Sequence, residues 1–343
     1  EGILHTVPVT PYSGNGVSRV VNWLSFTVLA LLRGVARRPV HVVYGSSPHL
    51  GAAVAGLIVA RVHRAPFVLE VRDLWPRILL DAGMFTESSP IYRALRWLEL
   101  FLYRRADAIV VLAKGSGWEL ECDGVDPSKI HFLPNGAEPS DFDVETGRMA
   151  LRHQFDFEGT IVVYAGAHGP ANGLDLVLDA AEDLTDTDVR FVLVGDGVAK
   201  ADLMADARRR GLDNVEFRDP IAKLEIPLLF AAADIGLHCL ADVPLFRHGV
   251  SPNKLYDYMA AGLPVVTNTP GEVAAMVDEA GAGEAVAPDQ IAVAIRRLIG
   301  LDPEVRAKLG ENGRSWMADN RSRTVLAKEL EALLDRVGGS PES

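Results

Sequence analysis

The chain has 343 residues, 48% hydrophobic and 23% charged, with a formal net charge of −12. Such a length suggests about two domains, and the balance is that of a soluble globular protein with ample core. Two cysteines, Cys122 and Cys239, are too few for a disulfide framework; both read as buried thiols of a reducing, cytoplasmic compartment.

The apolar stretches 52–60 and 24–32 stop at Arg61 and Arg33, short of the ~20 residues that a spanning helix needs. The chain opens Glu1-Gly2-Ile3, with no signal peptide visible. Charge is unevenly divided: residues 1–140 hold 14 Lys/Arg against 12 Asp/Glu, whereas residues 141–343 hold 20 against 34. So acidic a second half argues against a nucleic-acid polymer as ligand, because backbone affinity there requires clustered cations.

Short apolar runs alternate with longer helical patterns, which predicts βαβ units and parallel sheets. In the first half, strands are expected at 40–44, 67–71, 108–112 and 130–133, with helices near 50–63, 74–83, 91–105 and 117–123. Leu133-Pro134-Asn135-Gly136 and the acidic stretch after it close this series, so a boundary is placed near residue 140. A second series begins at 160–166. Strands are expected at 189–194, 215–218, 234–238 and 264–268, with helices at 174–181, 199–210, 225–232, 253–261, 272–278 and 289–299. Helical patterns at 303–320 and 324–337 end the chain, before a tail at 338–343 that reads as disordered. The expected domains are 1–140 and 141–321, with a last helix near 322–338 packing back on the first.

In open α/β sheets, ligands bind beyond the carboxyl ends of the strands, where amides and helix N-termini face an anion. Three such junctions stand out in the second half. Tyr164-Ala165-Gly166-Ala167-His168-Gly169-Pro170-Ala171-Asn172-Gly173 is rich in glycines that let backbone approach a phosphate, or is simply a turn. Val194-Gly195-Asp196-Gly197 offers the same two readings. In Ser251-Pro252-Asn253-Lys254-Leu255-Tyr256-Asp257, Ser251 is expected to cap a helix with Pro252 in its first turn. Lys254 would then lie near the helix N-terminus, with Asp257 on the same face. A cation there opposes the macrodipole, so a bound diphosphate explains it better than a surface Lys–Asp pair does. Asp257 would take a ribose diol. In the first half, Arg72 and Asp73 follow a strand; they steady phosphate or acceptor, or form an N-cap and its ion pair.

At these residues the sequence resembles the family 4 retaining glycosyltransferases of the GT-B fold. The markers are Ala106-Asp107-Ala108-Ile109-Val110-Val111, Leu133-Pro134-Asn135-Gly136, Val194-Gly195-Asp196-Gly197, Ala233-Asp234-Ile235 and the stretch 254–266. Tyr12-Ser13-Gly14-Asn15-Gly16-Val17-Ser18-Arg19, Ser46-Ser47-Pro48-His49-Leu50 and Arg72-Asp73-Leu74-Trp75-Pro76 resemble its fucosamine-transferase-like group of O-antigen and capsule assembly. The resemblance implies two Rossmann-like, doubly wound lobes facing an interdomain cleft. The first would lack the family's opening strand and Gly-rich loop, which would lie upstream of Glu1.

Catalytic roles are implied for Arg72, Asp73 and Lys254. Donor contacts are implied for Gly166, His168, Gly169, Gly195, Ser251, Asn253, Lys254 and Asp257. The donor would be a nucleotide sugar, a UDP-sugar by resemblance, and the acceptor a lipid-diphosphate-linked or oligosaccharide chain. No separate cofactor and no metal are implied. The family's two acidic residues fall at Gly249 and Asp257, so only the ribose role is carried over, onto Asp257. Ala167 and Asn172 stand where Arg and Lys are expected, and Arg72 stands in place of a cleft histidine.

Transfer with retention needs positioning and stabilisation of the leaving diphosphate rather than a protein nucleophile. Asp141-Phe142-Asp143 and Asp186-Thr187-Asp188 spell a metal-binding DxD pattern, but they lie in a linker and a loop and read as chance. Tyr92, Arg93, Arg96, Trp97, Phe101, Tyr103, Arg104 and Arg105 mix aromatics and cations along one helix, a theme repeated by Trp23, Phe26, Arg33, Arg37 and Arg38. They predict either an ordinary core helix or peripheral contact with the inner face of the cytoplasmic membrane. The competing functions are a sugar-nucleotide epimerase, a pyridoxal-dependent phosphorylase and a non-catalytic nucleotide-sugar-binding scaffold.

Overall fold

The computed structural model describes residues 5–12, 16–37, 40–81, 84–242, 246 and 249–339. Ser13, Gly14, Asn15, Arg38, Gly83 and the tail from Ser340, all named above, lie outside these residues. The chain divides into two compact units, one of Glu1–Pro134 with Lys328–Ser343 and one of Asn135–Ala327.

In chain order the first unit runs α1 (Val17–Val35), β1 (Val43–Ser46), α2 (Leu50–His63), β2 (Phe67–Val71), α3 (Arg77–Asp81), α4 (Pro90–Arg105), β3 (Ala108–Val111), α5 (Lys114–Cys122) and β4 (Ile130–Phe132). Its four strands are parallel and ordered β1-β2-β3-β4. Alternation along β2 decides what each face carries. Phe67, Leu69 and Val71 pack with Leu57 and Leu102 from the connecting helices, while Val68 packs with Ala108, Val110 and Leu333 on the other face. Leu333 belongs to the last helix of the chain, so this sheet is covered on both sides.

The second unit begins with α6 (Arg148–Gln154), β5 (Thr160–Ala165), α7 (Leu174–Glu182), β6 (Val189–Val194), α8 (Lys200–Arg210), β7 (Val215–Arg218) and α9 (Ile226–Ala232). It continues with β8 (Ile235–His238), α10 (Asn253–Ala260), β9 (Val265–Thr267), α11 (Glu272–Ala280), β10 (Gly283–Ala285), α12 (Ile291–Gly300), α13 (Pro303–Asn320) and α14 (Arg323–Gly338), the last running on into the first unit. Its six strands are parallel and ordered β10-β9-β8-β5-β6-β7. Ile161 and Val163 of β5 face α9 and α10; Val162 and Tyr164 face α7 and α12.

Most expected elements are found within a few residues of their predicted bounds. Three elements have no predicted bounds: α1, which carries Trp23, Phe26 and Arg33, α6, which follows the acidic stretch, and β10, too short to give an alternating signal. The helix expected at 74–83 shortens to α3, starting at Arg77.

Candidate functional site

Strand order in the second unit reverses between β5 and β8: the chain winds outward from β5 to β7, returns to β8, and winds the other way. Connections leave such a switch point on opposite faces, which opens a crevice at the strands' carboxyl ends. Gly166 follows β5 and α10 follows β8, so both flank it.

Tyr258 ties α10 to the sheet. The Tyr258 hydroxyl accepts the Ala165 amide at 2.9 Å. Its ring lies against Gly236, where a Cβ would come within 2.6 Å of it. One turn earlier, Lys254 reaches across the crevice. Its Nζ donates to Asn172 Oδ1 at 2.7 Å and lies 4.8 Å from the centre of the Tyr164 ring. Burial lowers its pKa to about 8, because desolvation penalises the ammonium. Asp257 shares the helix face; burial pushes its carboxyl up to about 6, tempered by Arg323 and Lys223. The two do not form the simple surface pair allowed by their spacing: the ammonium turns to Asn172 instead.

Both side chains line a cavity of about 380 Å³, whose wall includes Gly166, Gly195, Asp196, Pro220, Ile221 and Phe230. Its glycines are forced by close approach. A Cβ on Gly195 would stand 1.9 Å from the Gly166 carbonyl oxygen, and one on Gly166 would stand 2.1 Å from Lys254 Cε. A cation, a carboxylate and exposed backbone in one crevice suit a ligand carrying both an anion and a diol.

Four expected donor contacts, Gly166, Gly195, Lys254 and Asp257, therefore come together. The others are placed elsewhere. His168 is fully buried and does not line the cavity: its ring packs by Tyr164 and Phe217, and neither ring nitrogen has a hydrogen-bond partner. Its main chain holds the loop instead, donating to Asp196 O and accepting from Ala199 N. Ser251 does not cap α10. The residue preceding that helix is Pro252, and the Ser251 hydroxyl accepts the Asn135 amide at 2.9 Å. Gly169 precedes a short 3-10 turn, and Asn253 is exposed as the first residue of α10; neither lines the cavity.

Arg72 and Asp73 are exposed just after β2, in the first unit. The N-cap reading of Asp73 fails, because α3 begins four residues later. Sequence reasoning missed the cavity's apolar wall (Pro220, Ile221, Ile226 and Phe230), which no motif marks.

Other expectations are also revised. Cys122 is exposed, while Cys239 is buried with its thiol pushed up to about 12 by desolvation. Three of the four DxD carboxylates pair with arginines, Asp141 with Arg323, Asp143 with Arg314 and Asp186 with Arg296, while Asp188 accepts from the Thr160 hydroxyl. On α4, Tyr103 is buried and donates to Glu99, and Arg96 pairs with Glu99 and Asp123. These two leave the proposed interfacial face, whereas Arg93, Trp97, Arg104 and Arg105 are exposed.

Comparison with known proteins places this geometry. A glycosyl transferase 4-like domain model matches residues 2–136, and a glycosyl transferases group 1 model matches residues 159–300. The chain is 28% identical over 324 residues to the probable glycosyltransferase WbjE of Pseudomonas aeruginosa, covering 92% of this chain and 79% of that one. It is 26% identical over 261 residues to WcaI of Escherichia coli, a putative colanic acid biosynthesis glycosyl transferase, covering 74% of this chain and 63% of the relative. HepE of Anabaena, solved in complex with UDP-glucose, superposes with a TM-score of 0.73 at 19% identity, covering 94% of this chain and 84% of HepE. Two adjoining glycosyltransferase domain matches, on two parallel-sheet units, make the chain a family 4-like glycosyltransferase with the two-lobed GT-B fold.

Proposed function

We propose that the chain transfers a sugar, with retention of anomeric configuration, from a UDP-sugar to a lipid-diphosphate-linked or oligosaccharide acceptor in cell-surface polysaccharide synthesis. The observation that carries this reading is the shared cavity of Lys254 and Asp257, bounded by Gly166 and Gly195. With its pKa lowered to about 8, Lys254 is still an ammonium near neutral pH, and a diphosphate holds it in that form, so binding and leaving-group stabilisation fall to one side chain. Asp257, without a hydrogen-bond or ion-pair partner for its carboxylate among the described residues, is left to accept from a ribose diol. The acceptor hydroxyl would attack from the leaving-group side, its proton passing to the departing phosphate oxygen. UDP-glucose is bound by HepE, and the colanic acid relative supports a polysaccharide setting. The reading takes transfer to be metal-independent, since none of the DxD aspartates lines the cavity.

The reading includes work at a membrane surface, on the cytoplasmic side. α1 and α2 contain no acidic residue, and the one acid of α4, Glu99, is buried. Trp97 and Ile91 remain exposed beside Arg93, Arg104 and Arg105, as on interfacial helices.

A thermal-shift screen of nucleotides and nucleotide sugars tests the donor site, since a ligand at 100 times its Kd stabilises by ~2.7 kcal/mol. Selective stabilisation by UDP and UDP-sugars is expected. No stabilisation by any nucleoside diphosphate would sink the reading.

A further inference from the structure

We infer that Lys200, which does not line the cavity, is a positioning residue that sets the width of the donor site. The inference rests on the donor-site reading above.

Lys200 is the first residue of α8, where its charge opposes the helix dipole, a placement that costs a few tenths of a kcal/mol when nothing offsets it. Its side chain folds back over the ends of two neighbouring strands. Nζ donates to Gly195 O at 2.9 Å, to Arg218 O at 3.0 Å and to Asp219 Oδ1 at 2.8 Å. All three ammonium hydrogens are thereby used. Two of the acceptors are main-chain carbonyls, one after β6 and one at the end of β7. Gly195 itself lines the cavity, and Arg218 and Asp219 lead directly into Pro220 and Ile221, which line it too.

One buried ammonium thus ties together the two loops that form a single wall. The Gly195 amide also donates to Arg218 O, at 3.1 Å, so this carbonyl accepts from both Gly195 and Lys200. Lys200 is 13% exposed, whereas Asp219 is 95% exposed. The carboxylate contact is therefore dispensable, and the carbonyl contacts carry the effect. Without the ammonium, the buried Gly195 carbonyl loses its charged donor, and the two loops are held together only by the Gly195 amide bond to Arg218 O. The tied loops line the cavity of Lys254 and Asp257, so a shifted wall is expected to show in donor affinity.

The test is isothermal titration of the full chain with UDP, together with donor-dependence kinetics, on Lys200→Met, Lys200→Arg and Asp219→Asn. Lys200→Met should weaken UDP and raise the donor KM about tenfold, with kcat within about twofold. Lys200→Arg should recover much of the loss, and Asp219→Asn should match wild type. Should Lys200→Met not fold, the ranking of Lys200→Arg between wild type and Lys200→Gln serves instead. Wild-type protein that binds no nucleoside diphosphate would overturn the donor-site reading and this one with it. Wild-type binding with an unchanged UDP affinity in Lys200→Met or Lys200→Gln, whatever the loss of melting temperature, would overturn only the role of Lys200.

Discussion

The ammonium of Lys254 donates to Oδ1 of Asn172 at 2.7 Å, joining the start of α10 to the loop after β5. In the resemblance drawn from sequence, Asn172 occupies a position where a lysine is expected. The contact is a redistribution: one cation from α10 takes over the space, and the loop residue becomes its acceptor. A lysine at both positions would bring two cations into one part-buried crevice, where like charges repel.

Lys254→Ala should therefore lose the cation outright. We expect kcat/KM for transfer to fall by about 2–4 kcal/mol, on the order of 30- to 1000-fold, as when a preorganised charge-stabilising donor is removed. The melting temperature should not fall in parallel, since a half-buried ammonium is itself held at a desolvation cost. Asn172→Ala should do less, because it frees the ammonium without removing it. Steady-state kinetics beside calorimetry separates these outcomes; equal losses for both variants would remove Lys254 from its special role.

Donor affinity should follow a bell in pH. Asp257 is raised to about 6 and Lys254 lowered to about 8, so the ligand-free site holds carboxylate and ammonium together only between these values. Below about 6 the carboxylate gains a proton and loses its charge-assisted bonds to a diol. Above about 8 the ammonium loses its proton, and the diphosphate must supply the energy to restore it. UDP titrations from pH 5 to 10, with Lys254→Arg abolishing the alkaline limb, check the assignment.

Gly195→Ala should destabilise the second unit. The added methyl would meet a backbone oxygen at 1.9 Å, and backbone yields only by moving. A loss of about 1–3 kcal/mol is expected from such overpacking. Gly166→Ala meets the far end of Lys254 instead, which can swing away. The φ of +157° at Gly166 disfavours any side chain, so the change should cost some stability, though less than Gly195→Ala, and weaken the donor. Denaturant melts and UDP binding on the same pair of variants distinguish the two effects.

His238 is buried between Thr267 and Thr269, with Nδ1 2.9 Å from Thr267 Oγ1. Burial lowers its pKa from 6.5 to about 3. The unfolded chain takes up a proton below pH 6.5 that the folded chain refuses until about pH 3, so folding stability must fall as pH drops across that window. His238→Gln should flatten this part of the profile, measured by urea melts between pH 4 and 7. An unchanged slope would place the acid sensitivity elsewhere.

Sequence alone determined much of the architecture. Runs such as 161–164 and 191–194 are apolar without interruption, because both faces of a parallel strand are buried, and that pattern survives any detail of packing. It also marked the strand-to-helix junctions, since glycine, proline and a misplaced cation carry local physical meaning whatever surrounds them. Lys254, Asp257, Gly166 and Gly195 were legible for that reason.

Tertiary structure decided what each junction residue does. His168 and Gly166 sit two positions apart in one glycine-rich loop, yet one is sealed behind the sheet end while the other faces the cavity; only the path of the loop sets that difference. Ser251 carries the right chemistry for a cap but is claimed by Asn135, a residue 116 positions away. The wall of Pro220, Ile221, Ile226 and Phe230, and the Lys200 tie behind it, join segments from several strand ends. Contacts of that kind leave no periodic trace, because they depend on strand order, and strand order is fixed by packing over long sequence separation rather than by local propensity.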